Sequence, residues 1–333
     1  MTPHTGLTSG TCAPYPQPPS SAWNVTYYSG TNASTAAALA AAADIVIASV
    51  ATTSSEGSDR TNLSLPAWQD AMVSAVAAVQ PKTVVLARCP GACFMVWKNA
   101  VPAILYSLLP GQEAGNAIAN VIFGAVNPSG KLPVSFPAVM NDTWLGNPVN
   151  PAQYPGTIRN NSWIEADYSC VGWDWLLLHT SPPPPPPHSP THTNHCREDI
   201  FIGYRWYDQQ NITPLWPFGH GLSYTTWTYS NLVVANLTFT ATLVNSGGVA
   251  GAEVAQLYIG YPAAAQEPPK QLKGFQKVAL PAGGSTTLTF SLSPADLLIW
   301  NTTADAWALV SGTYTAMVGS SSRDIRLTAS FAV

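Results

Sequence analysis

One short polar segment has the residue types of an acid–base site. Residues 55–60 read Ser-Glu-Gly-Ser-Asp-Arg and follow a run of apolar residues. A carboxylic acid between a second carboxylate and an arginine can have its pKa tuned to hold a proton near neutral pH, as general acid catalysis requires. Glu56 is therefore the candidate acid/base, with Asp59 and Arg60 as supports of its loop. Taken alone, the segment favours a solvated loop closed by an Asp–Arg pair over an acid–base site.

Two groups of cysteine and histidine are candidates for metal binding. Cys89 and Cys93 are separated by three residues, a spacing open to a metal pair or to a small disulfide loop. No second pair stands at zinc-site spacing, so a disulfide is favoured. The other group lies in a proline-rich stretch, where a solvated linker is favoured. Its members are His188, His192, His195 and Cys196. No metal or cofactor is predicted.

Residues 124–132, Gly-Ala-Val-Asn-Pro-Ser-Gly-Lys-Leu, look at first like a phosphate-binding loop. That motif needs four residues between its glycines and a Ser or Thr after its lysine. Here five residues separate Gly124 from Gly130, and Leu132 follows Lys131. A Pro-Ser-Gly turn that leads into a strand is the favoured interpretation.

The elements that would position the acidic segment form an α/β pattern. Short apolar runs at 45–50, 83–87 and 101–107 are typical of buried parallel strands. Helices are predicted in the Ala-rich stretch before the first run, from Pro66 onward and over 113–123. The apolar faces of the last two are predicted to consist of Trp68, Met72, Val73, Val76 and Val79, and of Ala117, Ile118, Val121 and Ile122. This order predicts a doubly wound α/β sandwich.

Ligands of such sheets gather outside the carboxyl ends of the strands. The segments 52–60 and 88–97 both follow predicted strands, so they are expected at that edge. The acidic segment would then lie where ligands bind.

The last part of the chain has a different pattern. Apolar and polar residues alternate in four stretches, and Gly-rich turns separate them at the spacing of a β-sandwich. The stretches are 238–243, 254–261, 285–292 and 312–318. They predict an all-β domain of the immunoglobulin or fibronectin type III kind.

These patterns divide the 333 residues into five segments. A disordered tail, the α/β domain, a proline-rich insertion, a connecting segment and the β-sandwich are predicted. Their bounds are 1–22, 23–147, 148–200, 201–228 and 229–333. The insertion contains six consecutive prolines, Pro182 to Pro187, which form a polyproline II rod and cannot join a sheet.

Composition limits the classes of partner. Charged residues make up only 9% of the chain and the net charge is −4, which excludes the basic field needed for nucleic acid or a membrane surface. No apolar run is long enough to span a bilayer. With 12 Trp and 13 Tyr, the favoured partner is neutral and polar, such as a sugar.

N-glycosylation sequons are frequent and indicate an extracellular protein, although no signal peptide is recognised in residues 1–22. They begin at Asn24, Asn32, Asn62, Asn141, Asn160, Asn211, Asn236 and Asn301.

Several motifs, read in order, resemble one family. Glu56-Gly-Ser-Asp-Arg60, Pro110-Gly-Gln-Glu-Ala-Gly-Asn116 and Phe123-Gly-Ala-Val-Asn-Pro-Ser-Gly-Lys-Leu-Pro133 resemble the C-terminal α/β sandwich of glycoside hydrolase family 3. Pro217-Phe-Gly-His-Gly-Leu-Ser-Tyr224 and Gly251-Ala-Glu-Val-Ala-Gln-Leu-Tyr258 are similar to its junction and its fibronectin-like domain. The resemblance covers about residues 23–147 and 198–333 and is strongest to three-domain β-glucosidases.

The resemblance implies retaining hydrolysis of terminal β-D-glucosyl groups. The glutamate of the family's Glu-Gly-x-Asp-Arg loop matches Glu56 as general acid/base, Asp59 and Arg60 brace that loop, and Lys131 and Glu113 are structural. The nucleophile is an aspartate of a preceding barrel domain, which has no counterpart in this sequence. A single carboxyl cannot form the covalent intermediate, so little or no turnover is expected from the chain alone. The alternatives are a non-catalytic sugar-binding or docking module and a β-xylosidase specificity.

Overall fold

The protein is represented by a computed structural model that describes residues 24–55, 60, 62–143, 157–159, 162–164 and 200–333. Several predictions therefore lie outside the described residues. They are the tail 1–22, Glu56 and Asp59 of the acidic segment, the proline run, and the His188 to Cys196 group.

Three parallel strands form the sheet of the first half of the chain. They are β1 (Val46–Ala51), β2 (Thr83–Arg88) and β3 (Ala103–Tyr106), in the spatial order β1-β2-β3. The register pairs Val46 with Thr83 and Val84 with Ala103. The three predicted strands are confirmed, with the third shorter than the apolar run suggested.

Helices cover both faces of this sheet. They are α1 (Ala33–Ala41), α2 (Ala67–Val79) and α3 (Ala114–Ile122). Successive strand residues point to opposite faces, so neighbouring residues of β2 enter different cores. Val85 shares a core with Val73 of α2, whereas Leu86 shares one with Ile118 of α3. The predicted α/β sandwich is confirmed.

The helix faces differ in part from the prediction. In α2, Val73 and Val76 are buried, but Trp68 and Val79 are largely exposed and Gln69 is buried instead. In α3, Ala114, Gly115, Ile118 and Ala119 are buried, whereas Ala117 is exposed. The buried stripe of α3 runs i, i+1, i+4, i+5, one position away from the predicted face. Apolar alanines on both sides of a short helix leave its orientation to the sheet it covers.

Between the two domains the structure describes a short hairpin and a short helix. The hairpin consists of β4 (Thr157–Arg159) and β5 (Ser162–Ile164), and the helix is α4 (Tyr204–Gln209). Single turns of 3₁₀ helix lie at Met140–Asp142, Ala263–Ala265 and Pro294–Leu297. No described helix is long and apolar enough to cross a membrane.

The second half of the chain is a sandwich of two antiparallel sheets. One has the order β10-β7-β6 and the other β14-β13-β8-β9, and a separate hairpin joins β11 to β12. The strands are β6 (Trp227–Ala235), β7 (Thr238–Asn245), β8 (Gly251–Gly260), β9 (Gln271–Leu280), β10 (Ser285–Ser291), β11 (Ile299–Asn301), β12 (Ala306–Ala308), β13 (Thr313–Gly319) and β14 (Ile325–Ala332). Each predicted alternating stretch forms a strand, and Gly-rich turns at 245–248 and 281–284 join β7 to β8 and β9 to β10.

The core of the sandwich lies between the sheets. Every second residue of β7 is buried, as expected when one face of a strand packs against a facing sheet. Phe239 and Leu243 of β7 are fully buried with Leu257 of β8 and Tyr314 of β13. The all-β domain is confirmed.

A buried ion pair joins the two domains. The Nζ atom of Lys131 lies 3.1 Å from Oε1 of Glu253, and the two side chains are only 11% and 4% exposed. Lys131 also donates to the carbonyl of Gly221 at 3.2 Å, and the Tyr229 hydroxyl donates to Glu253 at 3.0 Å. Lys131, the lysine of the rejected phosphate-loop motif, is thus a structural residue that pairs with Glu253.

Helix α4 is attached to the sandwich by a second charged group. Asp208 of α4 accepts from Lys270 and, at 2.8 Å, from Nε of Arg323. Arg323 also donates to the carbonyls of Tyr207 and Ile212. The connecting segment is therefore fixed to the β domain by bonds to both side chains and backbone.

Candidate active site

The candidate site lies at the carboxyl edge of the parallel sheet. Hydrogen bonds continue past the strands, from the amide of Thr52 to the carbonyl of Arg88 at 3.3 Å and from Ser107 to Ala87 at 2.9 Å. The segments that follow the three strands therefore leave the sheet side by side. This places residues 52–55, which lead into the acidic segment, beside the segment that follows β2.

A buried glutamine holds the end of β1. Oε1 of Gln69 accepts from the amide of Ala51 at 2.8 Å, and its Nε2 donates to the carbonyl of the same residue at 3.0 Å. The side chain thus replaces the strand neighbour that Ala51 lacks on this side. Sequence analysis missed Gln69 because only apolar residues were counted on the buried face of α2.

Arg60 ties the end of the acidic segment to the loop after β2. Its Nη2 donates to the carbonyl of Ala92 at 3.0 Å. The two segments predicted to meet at this edge are therefore in contact through Arg60. Glu56 and Asp59 lie outside the described residues, so the acid/base role and the Asp59 brace stay predictions.

Cys89 and Cys93 flank the tripeptide 90–92, whose Ala92 carbonyl accepts the hydrogen bond from Arg60. Both are free thiols and fully buried, so the favoured disulfide is wrong for this structure. Their sulfurs are 3.1 Å apart, and the Cys93 thiol donates to Cys89. This bond, with a contribution from the positive charge of Arg60, lowers the pKa of Cys89. The same bond, together with burial, raises the pKa of Cys93.

The tripeptide between the cysteines is also held from β3. The hydroxyl of Tyr106 donates to the carbonyl of Gly91. The Tyr106 ring packs edge-on against Phe136 with 4.9 Å between centroids, and Phe136 packs against Trp216. Two consecutive carbonyls, those of Gly91 and Ala92, are thus bound by side chains of different segments.

The surface beside this loop is apolar. A cavity of about 290 Å³ lies there, lined by Phe94, Met95, Val96, Lys98, Ala138 and Leu215. Val96 after β2 is 74% exposed, and Leu109 after β3 is 79% exposed. Large apolar side chains exposed beside an apolar cavity, as Val96 is, typically mark a surface that contacts another molecule or domain.

The other charged residues of the motifs do not join this edge through any contact in the described part of the chain. Glu113 is exposed at the start of α3 and accepts from Asn116 at 2.7 Å. The described residues contain no group of three or more His, Cys, Asp or Glu side chains arranged to hold a metal ion.

An α/β sandwich followed by a fibronectin-type sandwich is the C-terminal architecture of a class of glycosidases. The family model described as "Glycosyl hydrolase family 3 C-terminal domain" matches residues 2–224, and the "Fibronectin type III-like domain" matches residues 253–322. The chain belongs to glycoside hydrolase family 3.

Curated relatives are β-glucosidases. "Probable beta-glucosidase L" of Aspergillus terreus is 37% identical over 337 residues, which cover 91% of this chain and 40% of the relative. "Thermostable beta-glucosidase B" of Acetivibrio thermocellus is 35% identical over 284 residues, which cover 82% and 32%. The chain therefore spans about a third to two fifths of the length of these relatives.

Solved structures of β-glucosidases share the fold. A β-glucosidase from Streptomyces venezuelae in complex with D-glucose matches with a TM-score of 0.76 at 34% identity, covering 90% of this chain and 35% of that one. The β-D-glucoside glucohydrolase of Trichoderma reesei matches with a TM-score of 0.78 at 31% identity, covering 100% and 45%. Both domains described above therefore recur in one order in known glycosidases.

Proposed function

We propose that this chain supplies the acid/base part of a β-glucosidase active site. Glu56 protonates the glycosidic oxygen of a terminal β-D-glucosyl group and then, as a carboxylate, activates the water that hydrolyses the glycosyl-enzyme. The observation that carries the proposal is the bond from Arg60 to Ala92, because it anchors the last residue of the Glu-Gly-Ser-Asp-Arg motif at the ligand-binding edge of the sheet.

The second carboxyl of the reaction comes from another domain in this proposal. Retaining hydrolysis needs two carboxyl groups about 5–5.5 Å apart on opposite sides of the sugar. By family resemblance the nucleophile is an aspartate of the barrel domain. The exposed apolar residues Val96 and Leu109 beside the loop support such a contact, since they give a second domain an apolar surface at this edge.

A chimera tests the role of Glu56. The matching C-terminal part of the Aspergillus terreus relative is replaced by this chain, and hydrolysis of 4-nitrophenyl β-D-glucoside is measured. Glu56→Ala is expected to lower kcat by about 10²–10⁴-fold, the usual contribution of general acid–base catalysis. Added azide, which needs no general base, is expected to restore turnover and to yield β-glucosyl azide.

The matched control is Glu267→Ala, which removes a carboxylate from the fibronectin-type domain. It is expected to leave kcat within twofold of the parent chimera. A Glu56→Ala chimera with parental kcat and no azide product would refute the assignment. Melting temperatures of both variants show whether a loss of rate comes from unfolding.

The 333-residue chain alone is expected to give little or no turnover of the same substrate, since the proposal places one carboxyl in it. Substantial hydrolysis by the purified chain would mean that the second carboxyl lies within it. Binding of glucose by the purified chain, with no turnover by the chimera, would favour the non-catalytic module. A preference of the chimera for 4-nitrophenyl β-D-xyloside that the parent relative lacks would favour the xylosidase alternative.

We also propose that the protein is extracellular and N-glycosylated. Seven of the eight sequon asparagines lie in the described part of the chain, and all seven are exposed. Exposure is what glycan attachment requires. Expression in a secreting eukaryotic host is expected to give a product whose mass falls after treatment with a peptide-N-glycosidase. An unchanged mass would contradict this proposal.

A further inference from the structure

Cys89 and Cys93 are placed to form a bond with almost no movement. Their sulfurs are 3.1 Å apart, whereas a disulfide bond is about 2.05 Å long, so closure needs a shift of about 1 Å. The cysteines lie in the loop that leaves β2, and the three residues between them have no secondary structure that would resist this shift. The geometry is therefore that of a reactive dithiol.

The two thiols are chemically unequal. Cys93 donates its S–H to Cys89, and the positively charged Arg60 lies close enough to stabilise a thiolate. The thiolate is the nucleophilic form of cysteine, so Cys89 is the attacking residue of the pair. Cys93 keeps its proton longer and is the residue that completes the reaction.

We propose that Cys89 and Cys93 form an exchange-active dithiol whose substrate is a small-molecule disulfide of the glutathione type. The Cys89 thiolate attacks one sulfur of oxidised glutathione, the S–S bond of glutathione breaks, and one glutathione thiolate leaves. The deprotonated Cys93 then attacks the Cys89 sulfur, and the second glutathione leaves. Two protein thiols are oxidised, one disulfide is reduced, and the two protons end on the two released glutathiones.

A Cys89–Cys93 disulfide would restrict the motion of the Ala92 carbonyl, to which Arg60 is bound. The bond would enclose Pro90, Gly91 and Ala92, whose last two carbonyls accept from Tyr106 and Arg60. The amide of Phe94, next to Cys93, donates to the carbonyl of Leu63 at 2.8 Å. A closed ring limits the motions of all these groups, so the oxidised form holds the two loop segments together more firmly.

Burial decides when exchange occurs. Both cysteines are fully buried, while Pro90, Gly91 and Ala92 between them are partly exposed. Exchange with glutathione therefore takes place in small local openings of this loop, in which the two thiols and Arg60 stay neighbours. Fully folded protein is expected to react slowly, and mild urea is expected to speed the reaction.

The folded, reduced full chain is incubated in mild urea in buffers of increasing oxidised-to-reduced glutathione ratio. Free thiols are then alkylated and the peptides are mapped by mass spectrometry, which separates this pair from the other cysteines. A Cys89–Cys93 cross-linked peptide, two hydrogens lighter, is expected to replace the doubly alkylated one. Hydrogen exchange is expected to show the Phe94 amide at least tenfold better protected in the oxidised form.

Two serine variants test the order of attack. Cys93→Ser is expected to accumulate a mixed disulfide of glutathione on Cys89, whereas Cys89→Ser is expected to leave Cys93 largely alkylated. Two outcomes would overturn the proposal: both thiols alkylated at every glutathione ratio in the unmodified chain, or equal modification of the two variants. Because none of these readouts uses glycoside hydrolysis, the result is independent of the proposed function.

Discussion

At the scale of single residues, polar side chains hold the site by binding backbone groups. Gln69 satisfies Ala51, and Arg60 satisfies Ala92. Backbone groups that leave a sheet lose their ladder partners, and a buried group left without a partner costs free energy. The shape of this edge therefore depends on a few donors and acceptors, while apolar packing shapes the layers beneath it.

His220 gives a residue-scale prediction of pH dependence. It lies in the junction loop, where burial, with a contribution from Lys131, lowers its pKa below the ordinary 6.5. Below about pH 6.5, His220 binds a proton in the unfolded chain but stays neutral in the folded chain, where its pKa is lower. The stability associated with neutral His220 is therefore full above about pH 6.5 and declines as the pH falls toward the lowered pKa.

The His220→Asn variant is expected to lose less stability than the wild type between about pH 7 and pH 5. Urea unfolding at several pH values measures the difference, and an NMR titration of the imidazole measures its pKa directly. The prediction would be contradicted if the free energy of unfolding fell equally with pH in the two proteins. It would also be contradicted if the His220 imidazole titrated at its ordinary pKa.

At the scale of elements, the parallel sheet and its helices determine where the loops start. Strand β1 ends at Ala51, and helix α2 crosses behind it so that Gln69 reaches that residue. The position of residues 52–55, which lead into the acidic segment, is thus set in part by the packing of α2 against the sheet. A change at Gln69 of α2 is therefore expected to affect the end of β1, which lies 18 residues earlier in the chain.

Gln69→Leu is expected to lower the free energy of unfolding by about 2–3 kcal/mol, because the amide and carbonyl of Ala51 lose their partners. Hydrogen exchange is expected to show faster exchange of the Ala51 amide. The control is Gln209→Leu, on the exposed side of α4, with a change within about 0.5 kcal/mol. If the two variants lost similar free energies of unfolding, the bonds from Gln69 to Ala51 would contribute no specific stability.

At the scale of the whole molecule, the two domains share buried charges. Lys131 of the α/β domain meets Glu253 of the sandwich, and Asp208 of the connecting helix meets Lys270 and Arg323. Removing one partner of a buried pair leaves the other charge uncompensated, which is more costly than the pair itself. The domains are therefore expected to unfold together.

Calorimetry tests this coupling. Wild type is expected to unfold in one transition, whereas Lys131→Met is expected to lose about 3–5 kcal/mol and to separate the transitions of the two domains. Removing both charges, in Lys131→Met with Glu253→Leu, is expected to recover part of the loss. The exposed Lys277→Met serves as control, and a single unshifted transition in the Lys131→Met variant would refute the coupling.

Much of the fold was readable from local sequence. Apolar runs identified the three parallel strands, and alternation identified β7, β8, β10 and β13, because the periods of buried residues are a property of each element. The buried faces of α2 and α3 differ in part from those predicted. Ala117 was expected inside and lies outside, since the orientation of an Ala-rich helix depends on the layer that it covers.

The sequence by itself determined the class of each element, the order of the two domains and the family motifs, because these depend on residues close together in the chain. Only the tertiary structure decided which distant groups meet. The pairing of Lys131 with Glu253 and the bond from Arg60 to Ala92 are examples. Such contacts depend on distances of a few ångströms between separate segments, and no local period encodes those distances.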